Sequence, residues 1–285
     1  MTTPHLDVDA VIAGQLPDAA EASALIHRFG DERAHHLTDG SQERTARCDW
    51  AIANLLVERH EFDGADRHFD DASKRFADHK LHHHQAGLQW SRVQRYCAEA
   101  EAEAEAEADT DRHEALMRHA VDAAVSSYIA TEYERFQLTD PVQRRRWESV
   151  ADGRLAQTLV LAQAHGSDSL VAELIECAIN GGVHTVIKSS RSATAETVGP
   201  LTEELAQQEI RMLHTANLGE VAVRLGAAAR LLDSSHLVVQ PPPALLYPSE
   251  DDARRVMLGS HRRMAAGLDP DLERILDSVP EVEAW

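Results

Sequence analysis

Between Ala46 and Phe76 the apolar residues fall into two runs of helical period separated by a polar break. Ile52, Ala53 and Leu56 share one face of a first helix, and His60-Glu61 interrupts. Phe62, Ala65, Phe69 and Ala72 then recur at the spacing of a second helix that packs back on the first. Two helices cross closely only where a small residue stands at the contact, and a nearby aromatic fills the gap that remains. A step of about 34 residues carries Ile52, Ala53 and Leu56 onto Ala86, Gly87 and Trp90. Small and bulky positions therefore recur in register, which a chance amphipathic helix would not do.

Elsewhere the pattern is coarser. Residues 1–16 read as a flexible N-terminal arm. Pro17-Asp18 opens a helix with Ala20, Ala24, Leu25 and Phe29 apolar, closed by Gly30-Asp31, and a second helix is expected over 32–38. The strict Ala-Glu alternation over 98–108 places charge on every side of a helix, so it is expected to be an exposed helical extension or a disordered insert. A long helix follows from Arg112 to Phe136. Thr139-Asp140-Pro141 restarts the chain into a helix to His165, expected to bury Trp147, Val150, Leu155, Leu159 and Ala162. After Gly166-Ser167-Asp168, the stripe Leu170, Val171, Leu174, Ile175 and Ala178 answers it, with Asn180-Gly181-Gly182 as the stop. A Ser/Thr-rich loop over 183–199 precedes two helices, 201–215 and 218–233. Pro241-Pro242-Pro243 is a stiff extended segment. Ser249 caps a helix that opens on Glu250, Asp251 and Asp252, Asp269-Pro270 caps a last short one, and the chain then trails off.

These elements predict an all-α chain: an α-solenoid of antiparallel helix pairs over 17–182, wound as a right-handed superhelix of the tetratricopeptide-repeat (TPR) kind. A further helix pair lies in 183–240 and a Pro-rich segment with C-terminal helices in 241–285. Composition agrees, because aromatics make up only 5% of the chain and alanine is abundant, which favours closely packed helices over a sheet. Forty-eight acidic against 28 basic residues give a net charge of -20, which opposes nucleic acid and anionic membrane surfaces as partners. Cys48, Cys97 and Cys177 are an odd, scattered set, expected to be reduced thiols in a cytoplasmic protein. The N-terminus reads as no signal peptide, and no window reads as a membrane span.

Three stretches carry a resemblance. They are Tyr133-Glu134-Arg135-Phe136-Gln137-Leu138-Thr139-Asp140-Pro141 running into Arg144-Arg145-Arg146-Trp147, then Gly166 to Glu176 (GSDSLVAELIE), then Leu225-Gly226-Ala227-Ala228-Ala229 followed by Pro241-Pro242-Pro243. Together they are similar to the TPR-rich helical regions that precede CHAT-type, caspase-like protease domains in bacteria. Those proteins continue into a domain with a catalytic His and Cys. Here about 40 residues follow the triple proline. The pair His165-Gly166 falls in a turn, and Cys177 belongs to an apolar stripe. The resemblance thus implies a partner or regulator, serving a protease encoded separately, and not a protease.

Of candidate sites, the groove is the sharpest. In TPR-like pairs the first helix lines the concave surface, so Arg47, Trp50, Asn54 and Glu58, with His84, Leu88 and Ser91 one repeat later, are expected to meet a peptide. Trp50 is read as an exposed anchor, because Ile52, Ala53 and Leu56 already supply the packing face. Related domains that clamp a peptide's terminal carboxylate use Asn and Lys; Asn54 fits, but the lysines are absent. The expected partner is a protein or peptide with a basic or amphipathic segment, and a homodimer is open. No cofactor, metal or catalytic residue is expected. His82-His83-His84 cannot all aim at one ion from a helix, and His60 with Glu61, Asp63 and His68 forms no known ligand spacing. Leu218 to Leu232 has a helix-turn-helix look without basic flanks. The rival readings are a helical small-molecule sensor around Trp90, Tyr96 and Trp147, and a metal-dependent hydrolase using His60 or His68.

Overall fold

The computed structural model describes residues 6–106, 110–136, 138, 141–192, 241, 243–248 and 254–283. It is mostly helical. In order the elements are α1 (Val8–Ile12), α2 (Ala19–Asp39), α3 (Gln42–Glu58), α4 (Phe62–Asp78), a 3-10 turn (His82–His84), α5 (Gln85–Glu105), α6 (Thr110–Arg135), α7 (Pro141–His165) and α8 (Asp168–Ser192). The C-terminal part adds β1 (Ala244–Pro248), β2 (Arg254–Val256), α9 (Gly259–Ala266), α10 (Pro270–Ser278) and β3 (Glu281–Glu283). Sequential helices pack against one another from α2 through α6, and α6 also receives α7, α9 and α10. None of the described helices is long and apolar enough to cross a membrane.

The corners at the ends of α3 and α4 have the same geometry. His60 and Lys80 each take a left-handed backbone, both at φ 58°. Around His60, the Glu61 N–H donates to Leu56 C=O at 2.9 Å and the His60 N–H to Val57 C=O at 2.9 Å. Around Lys80, the Leu81 N–H donates to Phe76 C=O at 2.8 Å and the Lys80 N–H to Ala77 C=O at 3.1 Å. Both are Schellman closures, which satisfy the last helical carbonyls and turn the chain back on itself. α4 then lays Ala65, Phe69, Ala72 and Phe76 fully buried against α3.

α3 is the hub. Trp50 meets Phe76 edge-on, with ring centroids 6.3 Å apart, and its Nε1 donates to Ser91 Oγ of α5 at 2.8 Å. The ring fits because position 87 is glycine: a Cβ there would stand 2.7 Å from Trp50 Cη2. Beside it, Asp49 has no exposed side chain and takes Arg33 of α2 at 2.6 Å and His68 and Arg75 of α4 at 2.9 and 3.5 Å. Three helices are held to one carboxylate.

Five expectations need correction. The arm is structured over 6–16: Asp7 caps α1 by accepting the Ala10 N–H at 2.8 Å, and Val11 is fully buried. α2 runs straight through Gly30-Asp31, because Leu25 and Phe29 before the glycine are buried and Arg33 after it is anchored to Asp49; a lone mid-helix glycine costs only about 1 kcal/mol. α8 likewise continues past Gly181-Gly182 to Ser192, where no proline follows to stop it. Val150 and Ile175 are 41% and 45% exposed, so the α7–α8 pair buries a narrower stripe, centred on Ala151, Thr158, Ala162 and Leu174. The C-terminal part is not wholly helical, since Arg254–Val256 and Glu281–Glu283 flank β1 in the order β2-β1-β3. β1 pairs antiparallel with β2 (Leu246 opposite Val256) and parallel with β3 (Leu245 opposite Val282). The expected helices at 201–215 and 218–233, and the cap at Ser249, lie outside the described residues.

The Ala-Glu stretch is helical through Glu105, and it does have a buried side. Ala100 is fully buried against Leu116 and Met117 of α6, and Glu99 is paired with Arg95 and Arg112. Glu103 lies 3.0 Å from Arg112, while Glu101 and Glu105 face solvent. The helical four-residue step thus sorts one alternation into a neutralised row and a solvated row.

Deeper in, the Glu134 carboxyl is pushed up to about 8 by burial, against the pull of Arg154. Arg154 is itself lowered to about 10 by burial; it donates to Ala86 C=O at 3.2 Å and lies over the Trp90 ring.

Two outcomes follow. On helix propensity Gly87→Ala would gain up to about 1 kcal/mol, but the Trp50 ring must move; overpacking of about 1–3 kcal/mol decides the sign. The variant is therefore expected to be less stable in urea unfolding. For Glu134, the folded value of about 8 lies above the ordinary 4.5, so its contribution to stability is complete below pH 4.5 and lost as pH rises towards 8. Glu134→Gln should then match the parent near pH 4.5 and exceed it near pH 8, measured by paired urea titrations.

Candidate functional site

The face of α3 that lies away from α4 is already covered. α1 sits on it, with Val11 buried and Leu6, Val8 and Ile12 packed into the same apolar cluster as Phe29, Trp50 and Leu55. Polar contacts fix its position. The Asn54 side-chain amide donates to Val11 C=O at 3.4 Å. Arg47 pairs with Asp9, and Arg28 of α2 donates to Leu6 C=O. A short helix is too small to be stable alone; here a host surface satisfies its carbonyls and takes up its apolar side chains.

The seven groove residues separate into four groups. Trp50 (7% exposed), Leu88 (1%) and Ser91 (5%) lie inside the α3–α5 contact, so Trp50 is a packing hub and not an exposed anchor. The physical reason is the gap left by Gly87, which admits an indole from the facing helix and provides a hydroxyl for its N–H nearby. Arg47 and Asn54 reach the surface of α3 and hold α1. Glu58 is exposed at the far end.

His84 belongs elsewhere. Its Nε2 lies 3.2 Å from Glu43 Oε1, and its ring stacks on Phe76 at 4.6 Å and on His83 at 4.0 Å. Burial, then the neighbouring His83, lowers its pKa below the ordinary imidazole value, against the pull of Glu43. Glu43, His83 and His84 are the one group of three metal-ligand side chains that converge among the described residues. The alternative histidines do not gather: His60 packs edge-on against Phe62, whereas His68 is held by Asp49.

Other chemistry is muted. Burial pushes the thiols of Cys48 and Cys177 up to about 12 and raises that of Cys97, which leaves them protonated and poor nucleophiles. Asp70 and Asp71 lie 2.7 Å from Arg92 and 3.7 Å from Arg33. Trp90 lies under Arg154, Tyr96 beside His119, and Trp147 Nε1 donates to Thr131 C=O at 2.8 Å. A cavity of about 30 Å³ between α6, α8 and α9, lined by Tyr128, Tyr133, Cys177 and Arg262, has room for about one water.

Sequence reasoning missed Asp9, Val11, Arg28 and Glu43. The Leu6-x-Val8-x-x-Val11-Ile12 spacing on either side of a capping Asp7 was the available signal for α1.

Comparison of the chain with protein-family models, with curated proteins and with solved structures finds no match in any of the three.

If Asn54 helps to seat α1, Asn54→Ala should speed amide exchange over Val8–Ile12 roughly two- to tenfold, as expected for one hydrogen bond. Exchange in α4 and α6 should stay unchanged, read by hydrogen–deuterium exchange mass spectrometry.

Proposed function

We propose that this chain is a non-catalytic, TPR-like protein–protein interaction scaffold or regulator, a right-handed α-solenoid whose α2–α3 face holds a short amphipathic helix of a partner. The observation that carries this reading is α1 itself. A short helix is seated on the face by two arginines, an asparagine amide and a buried valine, which is the helix-in-groove mode of recognition. The charges favour one kind of amphipathic segment. Arg28 and Arg47 offer guanidinium groups to carboxylates and main-chain carbonyls, so on this face an acidic helix fits better than a basic one. The matched antiparallel corners at His60 and Lys80 and the recurring small residue at Gly87 support the repeat architecture. Buried, protonated thiols support a role without cysteine catalysis. The resemblance to CHAT-associated helical regions points to a separately encoded protease of that type as the partner to test first. Cytoplasmic residence belongs to the same proposal, supported by three free thiols.

The test uses a fluorescein-labelled peptide of residues 6–16 (LDVDAVIAGQL) as the incoming helix and the full chain as host. Val11→Asp should loosen the resident α1. Fluorescence polarisation is expected to show the peptide bound by the Val11→Asp chain and at least about tenfold more weakly by the parent, whose own α1 competes at high effective concentration. Failure of a cooperatively melting Val11→Asp chain to bind the peptide would overturn the reading. A concentration-dependent dimer of the parent would assign the face to exchange of α1 between two copies.

A further inference from the structure

We propose that Glu43, His83 and His84 form a binding site for a divalent transition metal of the zinc class. The three side chains come from two places that the fold brings together. Glu43 stands in the first turn of α3, and the histidines lie on the 3-10 turn between α4 and α5. One donor atom from each lies within 4.8 Å of the others.

Zinc bonds of about 2.0–2.1 Å in a tetrahedron put neighbouring donors about 3.3 Å apart. His84 Nε2 and Glu43 Oε1 already stand at 3.2 Å. Only His83 has to swing inward, and its exposed ring can turn without disturbing any core residue. Phe76 stacks on His84 and sets the direction of its ring, and Arg47 lies 3.9 Å from the same Glu43 oxygen. The His84–Glu43 hydrogen bond accounts for two members of the group. It does not involve His83, whose exposed ring rests 4.0 Å from that of His84. A shared cation would make the two rings a ligand pair.

Two imidazoles and one carboxylate are a donor set suited to zinc and its neighbours in the first transition row, and unsuited to calcium or magnesium. Three protein ligands on an exposed surface leave the fourth position open to water or to a group from a bound partner. The ion would tie the start of α3 to the turn after α4, bridging residues 41 positions apart. Three adjacent histidines on one helix could not do this; two on a tight turn with a third ligand from another helix can.

The experiment is zinc titration of the full, untagged chain by isothermal calorimetry. It is paired with the visible spectrum of the cobalt-loaded protein, which reports four-coordinate geometry. Glu43→Gln and His83→Ala alter exposed side chains, and their melting curves verify folding. One zinc per chain is expected, with affinity falling about tenfold or more in each variant and the tetrahedral cobalt band lost. Zinc bound equally by parent and both variants would place the ion at other histidines and overturn the site. Loss in His83→Ala with no change in Glu43→Gln would reduce it to a surface histidine pair and equally overturn it. So would the absence of measurable binding.

Discussion

A carboxylate cannot be taken out of water without opposite charge and hydrogen-bond donors around it. Asp49, with none of its side chain exposed, meets that demand by drawing Arg33 from α2 and His68 and Arg75 from α4. Because those donors lie on different helices, the requirement fixes how the helices sit and not only how stable they are. Its chain neighbour Trp50 does the same in the other direction, entering the space left by Gly87 and fixing α5. Adjacent residues on α3 therefore register helices on either side of it. The apolar stripe of α4 and the matched corners at His60 and Lys80 follow from that frame.

What remains of α3 is a face that α1 covers. The contacts are economical: one buried valine, one amide and two guanidinium groups. Most are directed at main-chain carbonyls or a carboxylate and so demand little of the sequence they hold. On the proposed reading, such a surface would accept a class of helices and not a single one.

The helical character and the α3–α4 pair were legible in the sequence because their information is local. The spacing of Ile52, Ala53 and Leu56 against Phe62, Ala65, Phe69 and Ala72, and the small residue at 87, are enough to place two crossings. The illegible parts depend on partners distant in the chain. Trp50 looked surplus on α3 because the glycine that makes room for it is 37 residues later. The Ala-Glu run looked unburiable because Arg112, which neutralises Glu99 and Glu103, comes after it. Glu43 joined no histidine pattern because it precedes the histidine run by about 40 positions. Strands β2 and β3 were hidden because runs of three residues are too short to show a period of two.

The end of α5 has a consequence of its own. Helix carbonyls make its last turn partly negative, and Glu101 and Glu105 add solvated charge of the same sign just there. Mobile counterions screen that repulsion within about 10 Å at ordinary ionic strength, whereas the Arg95–Glu99 pair, only 7% exposed on each side, feels them little. Salt therefore acts on this helix end through two opposed effects, screening the repulsion among the solvated carboxylates and also the attraction of the half-exposed Arg112 for Glu103.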